Sequence, residues 1–166
     1  MGKFIDQNLA SGEKVAYETS LHWMVFGTAL FFGIMSAPCL AGALYIHVHE
    51  IQMGMGGDIG LIFLLIFGGL FFLVAFFSGL SALIAMKTTE YAATNKRVVF
   101  KSGLFNRRVV ETQLGKIESF TVSQGLLGRL FDYGTVALTG TGGLDEEFDY
   151  IRKPFEFKKM VQGQTA

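Results

Sequence analysis

Trp23–Ile46 reads WMVFGTALFFGIMSAPCLAGALYI, and Ile59–Met86 reads IGLIFLLIFGGLFFLVAFFSGLSALIAM. The first run holds no ionisable residue except Cys39 over 24 positions, and the second holds no charge over 28. A helix rises about 1.5 Å per residue and a bilayer's hydrocarbon core is about 30 Å thick, so each run can span it, the second with some tilt. A core helix of a soluble protein keeps a polar face over such a length, and neither run has one. Half of the 166 residues are hydrophobic and only 17% are charged, and every Asp, Glu, Lys and Arg lies outside the two runs. The pattern predicts a transmembrane helical hairpin over 22–86, with spans at about 23–46 and 59–86 and an outside loop at 47–58. Residues 1–21 form an N-terminal segment, and residues 87–166 form a separate domain.

The first run is longer than a signal-peptide core of roughly 7–15 residues, and a polar segment precedes it, so it is read as uncleaved. Met1-Gly2-Lys3 opens like an N-myristoylation signal, but Asp6 stands where that signal needs Ser or Thr. Of the 14 Lys and Arg residues, Lys3 and Lys14 precede the first run and the other 12 follow the second. The connector carries Glu50 and Asp58 and no Lys or Arg, so both termini are expected on the cytoplasmic side. Trp23 and Tyr45, at opposite ends of the first span, suit the headgroup level. Ala29, Gly33, Ala37 and Ala41 recur every fourth residue, and Ala75 and Gly79 offer a matching small patch on the second span. Such residues allow close helix approach, either within the hairpin or against another chain. Pro38 inside the first span removes one helical hydrogen bond and predicts a modest kink near Ile34.

From Lys87 onward a period of two replaces continuous hydrophobicity. Strands are expected at Glu90–Thr94, Arg97–Ser102, Arg107–Leu114, Ile117–Gln124, Gly134–Gly140 and Phe148–Ile151. Val110, Thr112 and Leu114 share one face, as do Phe120 and Val122, and Val136 and Leu138. Pro154 opens an amphipathic segment, Phe155–Gln162, that suits a short helix. These elements predict a small antiparallel β-barrel or bent sheet closed by a C-terminal helix.

The run Tyr91-Ala92-Ala93-Thr94-Asn95-Lys96-Arg97-Val98-Val99-Phe100-Lys101-Ser102-Gly103-Leu104-Phe105 resembles the opening of bacterial pleckstrin-homology-like domains of the YdbS-like type. Leu114-Gly115-Lys116-Ile117-Glu118-Ser119, the segment from Gly125 to Val136, and Ile151-Arg152-Lys153-Pro154-Phe155 resemble later parts of it in matching order. Leu9 to Trp23 resembles that family's approach to its first span. The resemblance implies an α+β membrane protein: a two-helix hairpin followed by a pleckstrin-homology-like barrel, in a bacterial cytoplasmic membrane. It implies little about activity, because a fold does not fix a function. Only Lys87 to Thr89 separate the second span from the first strand, so the domain is expected to ride on the inner leaflet.

Catalytic chemistry is not expected. His22, His47 and His49 lie at the expected membrane boundaries. His47, His49, Glu50 and Asp58 could be imagined as a metal site, but residues two apart on a helix do not share a face. Cys39 sits mid-span and is no candidate nucleophile. Thr139-Gly140-Thr141-Gly142-Gly143 resembles a phosphate loop, yet no Lys-Ser/Thr follows and Asp145, Glu146 and Glu147 would repel phosphate, so a hairpin turn is expected. Asp145, Glu146, Glu147 and Asp149 read as a solvated acidic loop. The expectation is therefore a non-enzyme with no cofactor, no metal, no small-molecule substrate and no nucleic-acid partner, since the domain lacks a basic stripe with interleaved aromatics.

Two surfaces remain. Leu126, Leu127, Leu130 and Phe131 are candidate protein contacts for a membrane-anchored interaction module, an accessory or assembly subunit of a larger membrane complex or a homo-oligomer; the competing expectation is that they bury one end of the barrel. Lys96, Arg97, Lys101, Arg107 and Arg108 are candidate lipid-headgroup contacts for the alternative, an anionic-lipid-sensing module. The domain's 12 basic and 9 acidic residues nearly balance, so general attraction to anionic lipid is weak.

Overall fold

In a computed structural model, residues 5, 7–48, 54–103, 107–141 and 144–165 are described. They form two compact units, one of residues 26–83 and one made of residues 1–25 together with 84–166.

The first unit is the helical hairpin. A 3-10 turn, Trp23–Phe26, leads into α1 (Gly27–Val48), and α2 runs from Gly54 to Thr88. Both helices continue past the apolar runs into the stretch expected as an outside loop, α1 to Val48 and α2 from Gly54; His49 and Glu50 lie outside the described residues. Both helices are long and apolar enough to cross a membrane, and only 11% and 6% of their most apolar windows are buried. A core helix of a soluble protein would show the reverse.

Helix contact inside the hairpin follows part of the expected small-residue stripe. A Cβ added at Gly33 would meet the Ala75 Cβ at 4.0 Å, and one added at Gly79 would meet the Ala29 Cβ at 3.6 Å. Ala37 and Ala41, however, are exposed, while Ser36 and Ala43 are buried. A strict four-residue step drifts about 40° per repeat round a helix of 3.6 residues per turn, so the contact line leaves the stripe and passes to Ser36 and Ala43. Pro38 lies within α1, as expected.

The second unit holds two antiparallel sheets. Strands β1 (Val15–Thr19), β2 (Glu90–Thr94), β3 (Arg97–Ser102) and β4 (Arg108–Gln113) form one in that order. Strands β5 (Ile117–Ser123), β6 (Tyr133–Gly140) and β7 (Leu144–Arg152) form the other. The expected barrel is not closed. Among the described residues, the bridge Leu21↔Ile151 is the isolated pairing outside the strands, and β4 is followed by a 3-10 turn, Leu114–Lys116, rather than a ladder to β5. Helix α3 (Leu126–Phe131) joins β5 to β6, and α4 (Pro154–Thr165) packs on both sheets.

β1 is the element the sequence reading lacked. Within the segment expected at 1–21, Val15, Tyr17, Glu18 and Thr19 pair with Thr94, Ala93, Ala92 and Tyr91 of β2. The acidic run expected as a loop is also a strand, β7, whose Glu146 and Asp149 are held by Arg108 and Thr135. The turn expected at 139–143 does join two paired strands, with Gly140 opposite Leu144; Gly142 and Gly143 lie outside the described residues.

The core is aromatic. Phe100 and Phe148 stack in parallel with centroids 3.8 Å apart, Tyr91 and Phe157 pack against them, and Phe120 packs on Phe157. Each comes from a different element, so this cluster joins both sheets to α4. Burying a residue such as Phe100 or Phe157 is worth about 1.5–3 kcal/mol, which makes the cluster the main cohesive contact of the unit. Val136 and Leu138, on the face that the period-two pattern indicated, join this core with Ile151 of β7 and Val161 of α4.

Candidate functional site

Three places on the second unit offer chemistry or surface. The first is the basic hairpin of β2–β4. Arg97 is held by a carboxylate 84 residues away: its Nε donates to Glu13 Oε1 at 2.9 Å and its Nη2 to Glu13 Oε2 at 2.9 Å. Its Nη1 donates to Glu111 at 2.6 Å and its Nη2 also to the Asn8 carbonyl at 2.8 Å. The Glu13 side chain is only 1% exposed, and it also accepts the Thr94 hydroxyl at 2.7 Å and the Ala10 N–H at 2.8 Å. Burial opposes its charge, but the Ala10 N–H, Thr94 and Arg97 together hold the carboxyl below its ordinary value of 4.5. This is a stitch between the N-terminal segment and the sheet.

The other basic residues are similarly engaged. Lys96 donates to the Ser11 carbonyl at 2.8 Å, Lys101 pairs with Glu90 at 3.2 Å, and Arg108 forks onto both oxygens of Glu146 at 2.6 Å. Arg107 is exposed. Register places Arg97 and Lys101 on one face of the sheet and Arg108, opposite Ser102, on the other. The structure therefore does not gather these five side chains into one headgroup pocket. Sequence alone carried no sign of this, because the decisive partner, Glu13, precedes the hairpin.

The second place is a groove lined by Val110, Thr112 and Gln113 of β4, Leu138 of β6, Glu146 of β7 and Lys116. β4 pairs with β3 along one edge, and among the described residues no strand occupies its other edge. An open edge of this kind presents backbone N–H and C=O groups to whatever enters the groove.

The third is α3. Gly125 starts it and Asp132 ends it in a left-handed conformation, φ 57°, with the Asp132 N–H returning to the Gly128 carbonyl. Gly128 faces β6 so closely that an added Cβ would lie 2.6 Å from the Tyr133 carbonyl oxygen, and Gln124 Nε2 donates to that same oxygen at 2.9 Å. The helix is thus fixed by its back. Its front exposes Leu126 at 86%, Leu130 at 73%, Leu127 at 55% and Phe131 at 39%, so these residues do not bury one end of the domain.

Beside α3, His22 is buried and stacks on Tyr133 with centroids 5.1 Å apart. The Met24 N–H donates to its Nδ1 at 3.2 Å, so that nitrogen carries no proton. Burial, with Arg152 nearby, pushes the imidazole below its ordinary 6.5. The His22 N–H donates to the carbonyl of Tyr150, whose φ of 55° is unusual for an aromatic residue. Tyr150 stacks on Tyr133, and these contacts hold the bulge where β7 passes β6.

No group of three or more His, Cys, Asp or Glu side chains among the described residues is placed to hold a metal ion. A family model described as Bacterial PH domain matches residues 33–159, well over half the chain, and covers most of the hairpin as well as the domain that follows it. No curated protein matches the chain.

Proposed function

Because this chain belongs to the bacterial PH domain family, we propose that it is a non-enzymatic interaction module anchored in a bacterial cytoplasmic membrane, with both termini cytoplasmic. In this reading the domain presents a surface to another membrane protein or to a second copy, as an accessory or assembly subunit. Two long apolar helices with little of their surface buried support the anchoring. The excess of Lys and Arg outside the connector supports the orientation. The pairing of β1 with β2 supports an even number of crossings, since segments flanking a two-span hairpin can pair only when both lie on one side of a bilayer.

The observation that carries the interaction reading is the open edge of β4 beside a groove that is part apolar (Val110, Leu138) and part polar (Gln113, Glu146). Strand addition at such an edge takes affinity from main-chain hydrogen bonds and specificity from alternate side chains. The alternative reading, sensing of anionic lipid by the basic hairpin, has less support because Lys96, Arg97, Lys101 and Arg108 are engaged within the domain.

The test is native mass spectrometry of the full chain, purified in mild detergent from its own membranes. A stoichiometric partner or a defined oligomer is expected, and its loss when Val109→Lys and Gln113→Lys place cations on the β4 edge would tie it to the groove. A bare monomer retaining anionic lipid would refute the module and favour lipid recognition.

A further inference from the structure

Helix α3 combines features that a water-facing connector does not need. At about 100° per residue, Leu126, Leu130, Leu127 and Phe131 fall within one continuous arc of about 140°, with Gly128 behind them and Arg129 at the border. That apolar front is highly exposed while the helix back is pinned to β6 by Gly128 and Gln124. The surface is therefore rigidly displayed.

Its neighbours say what it faces. Phe131 meets Trp23 edge to face with centroids 5.5 Å apart. Leu21, His22, Trp23, Met86, Phe131, Arg152 and others line one cavity. Trp23 is the first residue of the first apolar run, and Met86 is the last residue of the second. The front of α3 thus lies beside the points where both runs begin their passage from the domain, next to an aromatic residue of the kind that marks the headgroup level. Exposed Arg129 and Arg152 border it, as cations border the apolar face of helices lying in a membrane interface.

We propose that α3 is an interfacial helix: Leu126, Leu127, Leu130 and Phe131 insert into the lipid of the leaflet from which the hairpin emerges, and Arg129 and Arg152 meet its phosphates. The inference rests on the membrane reading above. It makes the domain's attachment bipartite, through the two spans and through α3. The occupant of this face is lipid rather than the protein partner expected from the sequence.

Bimane-labelled single cysteines in the full chain carrying Cys39→Ala, reconstituted in phosphatidylcholine–phosphatidylglycerol vesicles, separate the possibilities. Leu126→Cys reports α3, Leu70→Cys reports the second apolar run, and Thr141→Cys reports the opposite end of β6, about 25 Å from α3 by strand length. Lipid carrying a nitroxide high on the acyl chain is expected to quench the label at 126 strongly, at a depth of about 5–10 Å into the headgroup–acyl boundary. Iodide in the water should quench that label several-fold less than the one at 141. Iodide access at 126 equal to that at 141 overturns the proposal. Protection at 126 from both quenchers overturns it as well, in favour of a protein covering the helix. Leu70 lies near the middle of the second run, so its label is read with lipid carrying the nitroxide deep on the acyl chain; a label at 70 that this lipid does not reach removes the membrane reading itself, and the proposal with it. Leu126 is so exposed that its replacement leaves no cavity.

Discussion

Glu13→Gln removes one charge from a site that excludes water and leaves the Arg97 guanidinium facing an amide. Glu13 accepts four hydrogen bonds at 2.7–2.9 Å, two of them from Arg97. Breaking a buried pair by removing one partner costs about 3–5 kcal/mol when the other charge is stranded. Arg97 is not stranded: its side chain is 23% exposed and it keeps Glu111. The expected loss is therefore about 2–3 kcal/mol. Because the stitch ties the N-terminal segment to β2 and β3, the loss should appear as local opening of β1. Amide exchange of Val15–Thr19, measured on the full chain in micelles, should accelerate by roughly 30- to 140-fold. Amides of α1, which belongs to the other compact unit, should keep their wild-type rates. The carboxyl's folded value lies below 4.5, so its stabilisation is present above that pH and is lost as the pH falls through the lower folded value. Gln does not titrate, so the variant should lack this part of the acid response. Unchanged β1 protection, with an acid response equal to the wild type's, would refute the reasoning.

The imidazole of His22 is held below 6.5, so the folded domain binds fewer protons there than the unfolded chain. Its contribution to stability is present above that pH and lost as the pH falls through the folded value; an imidazole that NMR finds titrating at or above 6.5 would contradict this. Gly128→Ala places a Cβ at 2.6 Å from a main-chain oxygen that cannot rotate away, so thermal melting should show a loss of about 1–3 kcal/mol. A melting temperature equal to the wild type's would mean that α3 is less tightly fixed than described.

Where local pattern decides structure, the sequence was informative. The turn at Asn95-Lys96 and the alternation around it place β2 and β3 with the ends observed, and the two apolar runs place the hairpin. The misses share a physical cause. Val15, Tyr17 and Thr19 alternate as a strand should, but a five-residue edge strand gains its stability from β2, which lies beyond the hairpin in sequence. β7 carries Asp145, Glu147 and Asp149 among its residues, and those charges read as a loop until Arg108 and Thr135 are found across from Glu146 and Asp149. The basic hairpin read as free for lipid because its counter-charges at Glu13, Glu111 and Glu146 are set by tertiary pairing. The leucines of α3 were named from composition alone; their exposure and their closeness to Trp23 needed the fold.

The strand order β1-β2 sets a timetable for synthesis. Residues 15–19 leave the ribosome well before residues 90–94, and at roughly 5–20 residues per second the interval is about 4–15 s. Throughout it Tyr17 and Leu21 have no core to join, and the edge that β1 will cover does not exist. On the membrane reading proposed above, pairing becomes available only to chains in which both apolar runs have been threaded and the polypeptide has returned to the side it left. A chain with one run left behind would separate β1 from β2 and keep Glu13 from Arg97. On the same reading, folding of the domain depends on insertion of its own anchor: a misthreaded chain would carry an open sheet edge and an Arg97 left with Glu111 but without Glu13, and would stay longer within reach of chaperones and proteases.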